Sequence, residues 1–164
     1  MVRHEAAIGV LLVVACELAA ARSLAHAGTF PEHEITVGPS AAFVTTDAEG
    51  GLYGVEFSYL PHGVLWGTVG GRLLDADTGT TGLAHVEAGA WLFAAFGLGY
   101  SRRLWGEAFD ANNLSFFIGA PVPFAEAFDA GMFLAEPYFR HNRGLANGSV
   151  VNVLGLMLNF TTFE

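Results

Sequence analysis

From Gly28 onward, apolar and polar residues alternate in short runs, and clusters of Gly, Asp, Asn and Pro separate the runs. A period of two marks extended chain, in which successive side chains point to opposite faces. The pattern predicts eight strands, near Ile35–Thr45, Leu52–Leu60, Val64–Leu74, Leu83–Phe93, Phe96–Trp105, Leu114–Pro121, Met132–His141 and Val150–Thr162. Their lengths suit tilted strands crossing a bilayer, which takes about 9–11 residues. The joins Thr46–Gly51, Asp75–Gly82, Gly106–Asn113 and Asn142–Ser149 read as long and polar, whereas Pro61-His62-Gly63 and Ala94-Ala95 are terse. Long joins on one side and short turns on the other fit a membrane barrel. The join Val122–Ala130 breaks this alternation unless a neighbouring strand extends into it.

Splitting each strand by parity gives two chemically different faces. One carries Val37, Phe43, Tyr53, Val55, Phe57 and Tyr59 on the first two strands, then Leu65, Val69, Leu73, Val86, Leu98 and Tyr100. It continues with Leu114, Phe116, Phe133, Phe139, Leu154, Leu156 and Leu158, and it is almost free of charge. Tyr53 and Tyr59, on one face of one strand, suit aromatic positions at two membrane interfaces. The opposite face collects Glu56, Arg72, Glu87, Arg103, Glu136 and Arg140, together with His85, Ser, Thr and many Gly. Along the second to fifth strands the order is Glu56, Arg72, Glu87, Arg103, so charges of opposite sign would form an interior ionic ladder. Pairing matters there, because a buried charge without a partner costs several kcal/mol.

Composition decides which face meets the surroundings. Charged residues make up 14% of the 164 residues, too few to coat a soluble exterior, which usually takes about 25–35%. After residue 27 no stretch approaches the roughly 20 apolar residues of a membrane helix. A closed barrel instead satisfies every backbone group while presenting apolar side chains to lipid. The expected fold is therefore all-β: a closed antiparallel up-and-down barrel of about eight strands, transmembrane, filled by its own side chains. The same alternation turned inside out would make a soluble lipid-carrier barrel, with a narrow interior crowded by Phe and Tyr.

Residues 1–27 read as a secretory signal peptide, leaving 28–164 as the barrel domain. Met1-Val2-Arg3-His4 is a short basic start, Ala6 to Ala21 is apolar apart from Glu17, and Ala25-His26-Ala27 supplies a cleavage site. Two other readings of this segment are a retained amphipathic helix and a lipoprotein box, Val13-Val14-Ala15-Cys16, with a lipidated Cys16. Cys16 is the sole cysteine, so cleavage after Ala27 would leave a mature chain without thiol chemistry.

The leader, the strands and the apolar ending together resemble the small bacterial outer-membrane β-barrels of the eight-stranded type. In that group a terminal aromatic is read by the barrel assembly machinery. The run Leu154-Gly155-Leu156-Met157-Leu158-Asn159-Phe160 resembles that signal, with Thr161-Thr162-Phe163-Glu164 after it, so Phe160 or Phe163 would serve. The resemblance implies the outer membrane of a Gram-negative bacterium, with membrane lipid and lipopolysaccharide as partners. It also leaves room for a surface partner of unknown identity. Tyr138 to Phe160 is also similar to the end of the outer-membrane lipid A deacylases, with His141 at their His. Arg143 stands at their nucleophile and Gly155 near their acid.

Acyl transfer needs a hydroxyl nucleophile and an orienting carboxylate beside its His. No catalytic residue, cofactor or metal site is therefore expected, and the alternative activity is an acyl hydrolase acting on membrane lipid. A net charge of −9 disfavours nucleic acid. The acids Asp47, Glu49, Asp75, Asp77, Glu107 and Asp110 fall in the expected long joins, where solvation is the default and divalent cations are the alternative.

Overall fold

The computed structural model describes residues 33–45, 50–61, 64–77, 79–91, 94–126 and 131–163. The expected leader at 1–27, with Cys16, lies outside them, as do Asp47, Glu49 and Phe93. The strands are β1 (His33–Val44), β2 (Gly50–Pro61), β3 (Leu65–Ala76), β4 (Gly79–Trp91), β5 (Ala95–Trp105), β6 (Asn112–Gly119), β7 (Val122–Glu126), β8 (Met132–Gly144) and β9 (Val150–Phe163). Each pairs with its neighbours in antiparallel fashion, β9 with β1 and β6 with β8, so the sheet closes on itself. β7 prolongs the line of β6 along the start of β8, so the nine segments form a closed eight-stranded barrel. There is no helix among the described residues.

The break between β6 and β7 accounts for the join at Val122–Ala130. Pro121 has no amide hydrogen to give to a ladder, so the strand is interrupted there and resumes. At the break, Ala120 donates its amide to the Pro137 carbonyl at 3.1 Å. The join at Asp75–Gly82 is shorter than its composition suggests. Thr80 and Thr81 belong to β4, and only residues 77–78 separate β3 from β4. Gly79, at φ +113°, takes a backbone conformation that other residues avoid and lets the chain reverse there. The two ends of the barrel therefore differ less in loop length than the sequence implies.

The parity split is realised around the whole wall. Phe43, Tyr53, Val55, Leu65, Val69, Leu98, Leu114 and Leu154 are all exposed on the outside, Phe43 by 75% and Leu98 by 70%. Glu56, Arg72, His85, Glu87, Ser115 and Arg140 are buried inside. Tyr53 and Tyr59 both face outward, near opposite ends of β2.

Inside, the filling changes along the axis. At the end bearing residues 106–111 and 145–149, here the loop end, Leu52, Leu74, Leu83 and Val153 are buried, and Phe109 tucks in from the loop. Full burial of such side chains contributes about 1.5–3 kcal/mol each. At the opposite end, where β2 and β4 finish and which is here the turn end, the interior is less filled and holds a cavity.

Candidate functional site

Between the two ends lies a layer of charge. Glu56 accepts a hydrogen bond from Arg72 Nε at 3.2 Å, and Arg72 Nη2 lies 3.2 Å from the same oxygen and 3.8 Å from Glu87 Oε2. Arg140, on the far side of the barrel, donates from Nε to Glu87 Oε1 at 2.7 Å and from Nη2 to Glu87 Oε2 at 2.5 Å. The same Nη2 also reaches Glu56 Oε2 at 3.3 Å. Ser115 completes the shell of Glu87 by donating at 2.9 Å. Charge-assisted, bidentate contacts of this kind are the strongest hydrogen bonds a side chain makes, and the low local dielectric strengthens them further.

Local sequence explains why these groups fit. Three of the four charged residues face a glycine across the ladder: Glu56 opposite Gly70, Arg72 opposite Gly54, Glu87 opposite Gly99. A Cβ on Gly99 would collide with Glu87 Cγ and lie 2.6 Å from Ser115 Oγ, and one on Gly54 would lie 2.9 Å from Arg72 Cγ. Alternation of Glu136, Tyr138 and Arg140 on β8 brings an aromatic ring to the same interior. The Arg140 guanidinium lies 4.8 Å from the Phe117 ring centre and 4.9 Å from that of Tyr138. Cation–π contact thus adds to the two carboxylates in holding it.

Four of the six charges expected in a ladder meet in this cluster: Glu56, Arg72, Glu87 and Arg140. Arg103 stands apart, a correction to the ladder. Antiparallel stagger puts Gly99 and then Ser115 level with Glu87, while Arg103 lies nearer the loop end, opposite Leu83. There its Nη1 donates to the Phe109 carbonyl at 2.6 Å and pins the loop. Glu136 also departs from the ladder. It is buried but has no ion-pair partner among the described residues, and Asn159 Nδ2 donates to it at 3.0 Å. His85, which the ladder omitted, sits inside the cluster with Nε2 at 3.5 Å from Glu56 Oε2. The link from Arg140 to Glu56 and Glu87 spans strands that are not neighbours, so strand order alone does not show it.

Glu56, His85 and Glu87 bring three ligand-type atoms within 4.8 Å of one another. Both carboxylates are already engaged by Arg72 and Arg140, whose charges repel a metal ion, so the geometry is that of an ion-pair network. The loop acid Asp110 is similarly occupied. Its Oδ2 accepts the amides of Ala146 at 3.1 Å and Asn147 at 3.2 Å, which ties two loops together. His141 Nδ1 lies 2.8 Å from Asn152 Oδ1, and Arg143 is exposed. Neither supplies a nucleophile to His141. Phe160 lies against Phe133 on the wall, with ring centres 5.2 Å apart, and Phe163 ends β9.

On the turn side of the ion cluster lies a cavity of about 140 Å³. Glu56, Glu87 and Arg140 line it on the cluster side, Leu60, Pro121 and Met132 near the strand ends. Trp66 and Glu136 line it as well. No protein-family model, curated protein or solved structure matches the chain.

Proposed function

We propose that the protein is an integral barrel of the outer membrane of a Gram-negative bacterium, structural or surface-interacting in role, with an interior that carries stability and not catalysis. One observation supports this above the others: apolar side chains are exposed around the wall while a paired ionic cluster fills the middle. Lipid is the solvent that rewards such a wall and demands a closed sheet behind it. A soluble lipid carrier would need the reverse arrangement, with its apolar face inside. Membrane lipid and lipopolysaccharide are then the partners of the wall. The assembly machinery would read Phe160 or Phe163 during insertion.

Fractionation of expressing cells, combined with electrophoresis of unheated and boiled samples, tests the reading. It expects an outer-membrane pool whose unheated band migrates differently from the boiled one. Recovery in a detergent-free soluble fraction would overturn it. Mass spectrometry of membrane lipids with and without the protein separates this role from acyl hydrolysis, and the expected acyl chains are unchanged.

A further inference from the structure

The interior carries three carboxylates, Glu56, Glu87 and Glu136, against two guanidiniums, Arg72 and Arg140. With His85 neutral and all three carboxylates ionised, one negative charge is left over. Geometry locates it: Glu56 and Glu87 share both arginines, whereas among the described residues Glu136 has only the neutral Asn159 amide at 3.0 Å. Glu136 and Asn159 both line the turn-end cavity, and around them the lining is chiefly apolar and aromatic, with Trp66, Phe117, Leu134 and Met157. Trp66 additionally has a buried indole N–H without a hydrogen-bond partner among the described residues.

We propose that this cavity binds a small organic ammonium ion with an apolar body, Glu136 serving as its counter-ion. Each feature of the lining selects for that chemistry. A cavity of about 150 Å³ accepts a molecule the size of benzene, so the space matches a single ring or a short chain. The ammonium group finds a carboxylate and, in Trp66, an aromatic face of the type that attracts cations. A neutral ligand gives an ionised Glu136 no counter-charge, and an anion finds Arg140, the cation in the lining, already committed to Glu56 and Glu87. A strongly hydrated metal ion gains nothing from Leu134 or Met157. The inference rests on the barrel interior alone and holds whether or not the outer wall lies in a membrane.

Intrinsic fluorescence of the full refolded chain in nonionic micelles provides the test. Trp66 and Trp91 line the cavity, whereas Trp105 is exposed near the loop end, so Trp105→Phe leaves only reporters at the site. Benzylammonium, benzyl alcohol and benzoate present the same ring with positive, neutral and negative heads. Saturable binding of benzylammonium is expected, about tenfold or more tighter than benzyl alcohol, with no response to benzoate. Glu136→Gln should erase the preference for the ammonium over the alcohol. Equal affinity for the ammonium and the alcohol, or no saturable binding of the ammonium, would overturn the proposal. So would a preference that survives Glu136→Gln. The comparison of probes on the chain with Glu136 intact decides the matter even if the Gln variant does not fold, and failure there would leave the reading of the outer wall intact.

Discussion

Val86 and Glu87 are consecutive residues of β4, and they live in opposite worlds: Val86 is half exposed on the outer wall, and Glu87 is buried against two arginines. In a water-soluble protein their places would be exchanged. The outer residue is constrained chiefly by hydropathy, because half of its surface lies open on the outside. The inner residue is constrained by identity, geometry and its neighbours, because low dielectric magnifies both a matched and an unmatched charge. Tolerance to substitution should therefore alternate along each strand with the same period as the side chains.

The largest break in that pattern should come at Arg140. Replacing it with Met leaves Glu56 and Glu87 short of a shared cation, and the expected loss is about 3–5 kcal/mol by denaturant unfolding in micelles or vesicles. Adding Glu87→Gln should recover part of the loss. Strictly additive effects of the two changes would contradict their coupling. Next in size is Val55→Arg on the outer wall. A cation there should cost about 2–4 kcal/mol in a bilayer if the position lies near its midplane. In a soluble barrel the same change would be close to neutral, so the solvent of the wall is read directly. Arg103→Met should cost about 1 kcal/mol, because Arg103 contributes a hydrogen bond to the Phe109 carbonyl and no ion pair to the cluster. A loss as large as that at Arg140 would return Arg103 to the ionic network. Smallest is Val86→Leu, expected within about 0.5 kcal/mol of the parent protein.

Parity made the two faces legible in the sequence, since a side chain's face follows from its position along a strand. It correctly put Glu56, Arg72, Glu87 and Arg140 on the buried side. What parity lacks is height. Whether two inward residues meet depends on strand stagger, and Arg103 and Glu136 each lie away from the cluster along the barrel axis, toward the loop end and turn end respectively. Contacts across the lumen, such as Arg140 to Glu56, depend on closure and curvature, which no single strand encodes. The cation–π partners Phe117 and Tyr138 carried a usable signal, because they share parity with Ser115 and with Glu136. An apolar ring on a polar face marks a place where interior volume must be filled. The β6–β7 break was signalled by Pro121, but the composition of Asp75–Gly82 misled, since Gly and Asp there serve a tight reversal and not a long loop.

Single-cysteine labelling read in lipid vesicles tests the inside-out arrangement most directly. A nitroxide attached at Val55→Cys or Val86→Cys, in chain lacking Cys16, reports collisions with oxygen, which concentrates in hydrocarbon, and with a water-soluble nickel chelate. Both positions should show high oxygen and low nickel accessibility. Ready access of the nickel chelate to either one would place the wall in water and contradict the account.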